Sequence, residues 1–317
     1  MPPPIPTLDE ASAASAITLE PAPAFALPSV KTPSRLADYY ELTKPRMNFL
    51  VVVTTVLGFY IAAKVAGQTI VSWSLLHTLM GTALTAASAS VLNQYIERDL
   101  DRLMPRTRNR PLAAGRVTTL ETAIFATVLG IAGVVWLAVA VNALTALLGA
   151  VTLMTYVLVY TPLKRRSPLC TLVGAVPGAI PPMMGVTGFA SHLTPLAWTL
   201  FAILFVWQLP HFFALALMYK KDYAAGGFKM LPLVEDGDAR TRRQIVLFTL
   251  LLLPISLMPV FASNARLLYG GMATLLGAWF LFAALRCYHG HRGSERKLFL
   301  VSIIYLPLIL TALMVDQ

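Results

Sequence analysis

The stretch WSLLHTLMGTALTAASASVLNQYIERDLDRLMPRTRNRPL, residues 73–112, joins two opposite kinds of sequence. Residues 73–96 contain no Asp, Glu, Lys or Arg, a run long enough for one helix to cross about 30 Å of hydrocarbon. The next sixteen residues hold three carboxylates (Glu97, Asp99, Asp101) and five arginines (Arg98, Arg102, Arg106, Arg108, Arg110). An apolar crossing that ends in dense charge of both signs implies a membrane helix delivering polar groups to one face of the bilayer.

The remainder of the chain repeats the first half of that pattern. Of 317 residues, 57% are hydrophobic and 13% charged, which excludes an ordinary soluble globule. Apolar runs recur near 46–65, 73–96, 119–140, 142–161, 169–189, 195–219, 243–262, 267–286 and 296–315. Transmembrane strands would instead alternate over about ten residues. The expected fold class is all-α, a polytopic membrane protein of nine transmembrane helices. Residues 1–38 are rich in Pro, Ala and Ser and read as a disordered tail. The tail has no basic segment before an apolar core and is acidic and arginine-poor, features that fit neither a signal peptide nor a mitochondrial presequence. A bacterial cytoplasmic membrane is therefore the expected location. Cys170 and Cys287 have no metal-ligand or redox spacing and read as small apolar fillers.

A net charge of +10 could suggest nucleic acid, but its placement points elsewhere. All 25 Lys and Arg residues except Lys64 and Arg266 fall on one side of the nine-span arrangement. That is the positive-inside pattern, which sets the N-terminus in the cytoplasm and the C-terminus outside. All 15 acids except Asp316 fall on the same side, although acids contribute little to orientation. Their collection there requires another reason.

Asn93, Glu97 and Asp101 supply one. Their i, i+4, i+8 spacing puts them on a single helical stripe about 80° wide. Oxygen ligands from one stripe, with coordination positions left over, suit Mg²⁺ bound jointly with a phosphorylated substrate. The plain alternative is a solvated acidic face, the reading kept for Asp99. The arginines around the stripe could hold phosphate oxygens in bidentate fashion. They could equally form salt bridges within the loop or meet anionic lipid. Acids for a metal and arginines for its anionic ligand are together what a pyrophosphate leaving group requires.

Other helix ends on the same face repeat the theme. VYTPLKRRSP carries Tyr160 and Lys164, followed by Arg165 and Arg166. LTKPRMNF adds Lys44 and Arg46, and WQLPHFFALALMYKKDYAAGGFKMLP holds His211, Lys220, Lys221, Asp222 and Lys229. His211 lies inside an apolar run, where a charged imidazole would be costly. It reads either as a neutral histidine bonded to a neighbouring helix or as a group facing a polar substrate or a haem iron.

Together NQYIERDLDRLMPRTRNRPL, YTPLKRRSPLCTLVGAVPGAIPPMMGVTG and WQLPHFFALALMYKKDYAAGGFKMLP resemble the protohaem IX farnesyltransferases, a branch of the UbiA-type intramembrane prenyltransferases. The likeness covers residues from about 40 to the C-terminus, making 39–317 the expected prenyltransferase domain. It implies nine helices around a central cavity capped by cytoplasmic loops, with farnesyl diphosphate, haem b and Mg²⁺ as ligands. The family's first acidic motif matches Asn93, Glu97 and Asp101, and its Tyr-x-x-x-Lys element matches Tyr160 and Lys164. The second acidic pair is half present, with Met218 in the first place and Asp222 in the second. The metal set expected from the resemblance is thus Asn93, Glu97, Asp101 and Asp222, with Lys164 beside them in catalysis. Arg46, Arg98, Arg102, Arg106, Arg110, Lys221 and Lys229 are expected to bind substrate, with Tyr160 and His211. His211 is similar to a histidine typical of the haem branch. Membrane lipid is an expected neighbour, a haem A synthase or terminal-oxidase assembly the expected recipient of product, and nucleic acid is not an expected partner. A quinone-precursor prenyltransferase of the same superfamily is the nearest alternative. An anion transporter with a basic vestibule is a more distant one, since the spans lack midplane acids and the charges crowd one surface. VPGAIPP in the fifth span could break a helix, but proline-bent helices lining a cavity explain it equally well.

Overall fold

A computed structural model describes Met1 and residues 34–317, apart from Val71, Glu235 and Asn264. Most of the expected tail lies outside the described residues. Its last four residues open helix α1 (Arg35–Leu42), whose first turn is capped by the Ser34 hydroxyl accepting from Ala37 N. Among the described residues there is no strand.

The chain continues through α2 (Pro45–Val65), α3 (Trp73–Asp101), α4 (Thr119–Ala140) and α5 (Ala143–Met154). A π-turn (Thr155–Tyr160) carries α5 into the short α6 (Thr161–Leu163). Then come α7 (Cys170–Ala190), α8 (Pro195–Met218), α9 (Lys220–Ala225), α10 (Gly237–Leu257), α11 (Pro259–Ala262), α12 (Leu267–Tyr288) and α13 (Ser294–Val315). Counting α5 with α6 and α10 with α11, nine helices among the described residues are long and apolar enough to cross a membrane. They match the nine expected spans. The largest differences are at α3, five residues longer at its C-terminus, and α10, six residues longer at its N-terminus. In both, polar residues outside the apolar run continue the helix.

Local chemistry sets where the crossings begin. The side chains of Ser72, Thr118, Asn142 and Thr194 accept from the backbone N–H groups of Leu75, Glu121, Thr145 and Ala197. Each satisfies a donor that the first helical turn leaves unpaired. Glu121 returns the contact to Thr118 N, closing a capping box.

α7 is the most enclosed crossing, with 67% of its span buried. Lipid tails are as apolar as leucine, so close backbone approach and dispersion contacts take over the role that hydrophobic burial plays in water. α2 and α7 meet through Gly58 and Gly185. A Cβ on Gly58 would stand 2.1 Å from Pro182 O, and one on Gly185 would stand 2.1 Å from Thr55 O. Neither backbone oxygen can yield without separating the helices. Pro177, Pro181 and Pro182 lie inside α7, yet the helix runs unbroken from Cys170 to Ala190. The broken crossing that the transporter alternative needs is absent from this segment. α4 turns Val128, Ile131, Val135 and Val139 outward, an apolar face for lipid.

Charge collects at one end of the bundle. Arg116 joins Asp38 of α1, Lys220 joins Asp238, and Arg242 joins Glu295. At the other end Asp316 accepts from the backbone N–H groups of Arg266 and Tyr269, closing α13 onto α12. Cys170 and Cys287 are free and buried, consistent with their reading as fillers.

Candidate active site

The α3 stripe is not a solvated face. Asn93, Glu97 and Asp101 are 2%, 5% and 1% exposed. Asp99, two residues from both Glu97 and Asp101, points outward and meets Arg98 and Arg102 at 3.7 and 3.8 Å. Helical geometry thus sorts four neighbouring polar residues into three inward groups and one surface acid.

Each inward group has a cationic partner from a different segment. Lys44 Nζ donates to Asn93 Oδ1 at 2.7 Å, and Lys164 Nζ to Glu97 Oε1 at 2.8 Å. Arg110 Nη1 donates to both oxygens of Asp101 at 2.8 Å. The Asn93 amide is held from its other end as well. Thr161 Oγ1 donates to Tyr156 O at 2.8 Å and accepts from Asn93 Nδ2 at 3.3 Å. With Nδ2 committed to the hydroxyl, Oδ1 is the atom left for a cation.

Two uncommon backbone features bring these partners in. Lys44 adopts φ +50°, ψ +60° directly before Pro45, although a residue preceding proline normally stays extended. A left-handed conformation at a residue other than glycine costs about 1–3 kcal/mol and must be held by its surroundings. Here it turns the chain between α1 and α2 so that the ammonium reaches Asn93. The second feature is the π-turn, whose extra residue re-aims the end of the fourth crossing. It carries Tyr156 and Tyr160, and it sets Lys164 Nζ 4.6 Å from the Tyr160 ring centroid.

The result is a compact alternation of charge. Burial opposes the Lys164 ammonium, but Tyr160 and the Glu97 carboxylate outweigh it and hold the pKa above the usual lysine range. Lys44 behaves oppositely. Burial, reinforced by the like charges of Arg110 and Lys164, pulls it down to about 7 in spite of Glu97 and Asp101. Two carboxylates facing three basic groups leave a site that favours an added anion.

One amide oxygen and two buried carboxylates are hard donors of the kind Mg²⁺ takes, and three protein ligands leave room for water or phosphate oxygens. The donor set therefore fits the metal. Asp222 does not complete it: among the described residues no group of three or more His, Cys, Asp or Glu is placed to hold one ion. Asp222 sits in α9, half-buried and without a side-chain partner.

The other expected residues are dispersed. Arg98 donates to Tyr95 O and lies over the Tyr95 ring within α3, whereas Arg102 donates to Ala113 O and braces the loop that follows α3. Arg106 is exposed, over Tyr219. Arg46, Lys221 and Lys229 are exposed and, among the described residues, form no side-chain hydrogen bond or ion pair. Through its backbone, however, Lys229 N donates to Lys164 O at 2.7 Å, tying the loop after α9 to the lysine in the site. The basic group that the start of α2 supplies is Lys44, not the expected Arg46. Tyr156 and Thr161 are further members that the sequence reading did not select. A tyrosine four residues before Tyr160 was the available signal for the first, and nothing in the sequence pointed to the second.

His211 stands on α8 away from the stripe. Nδ1 lies 2.7 Å from Ser302 Oγ on α13, and the ring stacks against Trp207 and Phe299 at centroid distances of 5.0 and 4.8 Å. The bond to a neighbouring helix is therefore real, and the second nitrogen remains to be accounted for.

Comparison with known proteins gives this arrangement a family. Residues 51–306 match the model of the UbiA prenyltransferase family. A protoheme IX farnesyltransferase of Solibacter usitatus is 42% identical over 289 residues, spanning 89% of this chain and 99% of the relative. A protoheme IX farnesyltransferase of Myxococcus xanthus is 41% identical, spanning 90% of this chain and 96% of the relative. The fold is shared with digeranylgeranylglyceryl phosphate synthase at a TM-score of 0.74 and 16% identity, over 89% of this chain and 98% of that one. It is shared also with an Archaeoglobus fulgidus UbiA homolog bound to DMAPP and Mg²⁺, at a TM-score of 0.63 and 13% identity, over 87% and 99%. The chain belongs to the UbiA prenyltransferase family, and it is a membrane-embedded prenyltransferase.

Proposed function

We propose that this protein is a haem O synthase, transferring the farnesyl group of farnesyl diphosphate to a vinyl group of haem b. The observation that carries the reading is the buried α3 stripe with a cation on each of its three groups. In the relatives named protoheme IX farnesyltransferase the similarity runs over nearly the whole chain, which supports haem as the acceptor.

Asn93, Glu97 and Asp101 would hold Mg²⁺, which when bound supplies positive charge to the diphosphate oxygens. Lys44, Lys164 and Arg110 neutralise the charge that grows on the leaving diphosphate as the C1–O bond breaks. The terminal carbon of the haem vinyl group then bonds to C1 of the allylic cation. This leaves a cation on the vinyl carbon next to the ring. Water adds there and loses one proton, giving a hydroxyethylfarnesyl substituent, diphosphate and H⁺. No protein nucleophile takes part. The distribution of Lys and Arg supports a site on the cytoplasmic side of a bacterial inner membrane. Asp222 remains a candidate for a metal-diphosphate ligand once substrate is present. Product is expected to pass to a haem A synthase or terminal-oxidase assembly.

Incubating the purified protein with farnesyl diphosphate, Mg²⁺ and either haem b or 4-hydroxybenzoate tests the acceptor. The predicted outcome is one product, with the mass of haem b plus farnesyl and hydroxyl. Prenylated 4-hydroxybenzoate with unmodified haem would instead support a quinone-precursor enzyme.

A further inference from the structure

The pairing of α8 with α13 specifies more than a helix contact. Ser302 is fully buried, and its Oγ lies 2.6 Å from the carbonyl oxygen of Phe299. Two oxygen acceptors do not come that close without a hydrogen between them, and a carbonyl has none to give. The hydroxyl proton is therefore committed to Phe299. Towards His211 Nδ1, 2.7 Å away, the same oxygen can only accept. Nδ1 must then carry the ring proton, which leaves the lone pair on Nε2.

Among the described residues Nε2 has no hydrogen-bond partner. It is also not among the sealed polar atoms that lack one, which in the described residues are His77 Nδ1, Thr82 Oγ1 and Ser294 Oγ. Nε2 thus keeps some surface exposure. The ring has little freedom to turn, because it stacks on Trp207 and Phe299 at interplanar angles of 22° and 28°. Trp207 is itself fixed, its Nε1–H donating to Ser302 O at 2.8 Å. A single residue, Ser302, therefore contacts the imidazole through its side chain and the flanking indole through its backbone.

Depth supports a substrate-facing role. His211 lies seven residues from the end of α8 at Met218, and Asn93 lies eight from the end of α3 at Asp101. At 1.5 Å per residue both sit roughly 10–12 Å below the charged helix ends. α2, which follows Lys44, packs chiefly on α7 and only lightly on α8 and α13.

We propose that Ser302 is a positioning residue that fixes His211 in the Nδ1–H tautomer, presenting Nε2 as a lone-pair ligand to the iron of the acceptor porphyrin. The inference rests on the reading of haem b as acceptor. A hydrogen bond donated from Nδ1–H orients a ligating imidazole and raises the basicity of Nε2. A neutral hydroxyl does so more weakly than a carboxylate, which suits a porphyrin that must leave after reaction.

The test uses the purified full-length protein with ferrous haem b, read by visible absorption and by the iron–histidine stretch in resonance Raman spectra. Wild type is expected to show the stretch and His211→Ala to lack it. Ser302→Ala is expected to keep its thermal midpoint, bind haem at least about tenfold more weakly and shift the stretch to lower frequency. Ser302→Thr, which keeps the hydroxyl, restores both. Where alanine does not fold, Ser302→Cys supplies a near-isosteric weak acceptor and is expected to show the same shift. A stretch that persists in His211→Ala overturns the ligand assignment. Wild-type affinity and frequency in Ser302→Ala, or in Ser302→Cys where that variant stands in, overturn the role of Ser302. A wild-type protein that binds haem b without any histidine stretch defeats the inference alone. One that binds no haem b defeats the functional reading as well.

Discussion

Lys44 shows how a single residue can matter more than its neighbourhood in sequence suggests. It sits two positions from Arg46, and by charge and location the two are equivalent in the sequence. The left-handed turn at Lys44 separates them, sending one ammonium to Asn93 and leaving the guanidinium exposed. Lys44→Ala is expected to lower kcat/KM for farnesyl diphosphate about tenfold or more, the loss of one charge-assisted contact. Steady-state kinetics beside Arg46→Ala check it, and an equal loss in both variants would deny Lys44 its separate place. The pKa near 7 adds a pH dependence. An incoming diphosphate raises the pKa of an ammonium beside it, so binding takes up a proton where Lys44 is neutral in the free protein. In metal-free buffer, pyrophosphate affinity of the wild type should therefore fall relative to Lys44→Met as pH rises through about 7. Calorimetry in buffers of different ionisation enthalpy measures the proton uptake directly. The stripe itself was legible because i, i+4 spacing is a property of sequence. Its cationic partners were legible only as a pool of basic residues, since which ones fold inward depends on backbone turns.

At the scale of the element, α3 and the fourth crossing carry the site between them. The extension of α3 to Asp101 was implicit in the spacing even though the apolar run stops at residue 96. The π-turn was not, because it adds one residue to a helix without changing the hydrophobic pattern. Deleting Val159, which is 48% exposed, removes a residue from that turn and changes how the chain after it is aimed at Glu97. The expected result is loss of the Lys164–Glu97 contact and a fall in activity of about 100-fold or more, with normal amounts of protein in the membrane. Wild-type activity in the deletion variant would mean that the π-turn does not aim Lys164. Prolines in α7 were the ambiguous element signal. They allowed a break or a bend, and the segment runs as one helix.

At the scale of the whole molecule, composition alone was enough for the fold class, since nine apolar runs of crossing length leave few alternatives. The side on which the charges gather follows from helix parity and predicts a topology. A phosphatase fused after Gln317 should be active, and a fluorescent protein fused there should be dark, because the C-terminus is expected outside the cytoplasm. The reverse pair of results would invert the orientation and place the acid stripe on the outer face. The interface between α8 and α13 was invisible in sequence, because Ser302 and His211 are brought together across 91 residues by packing. If the α3 stripe holds the metal and diphosphate for prenyl transfer, Asp101→Ala, shown to be folded in the membrane and assayed with farnesyl diphosphate, haem b and Mg²⁺, is expected to form no prenylated haem. Haem O formation at the wild-type rate would contradict it.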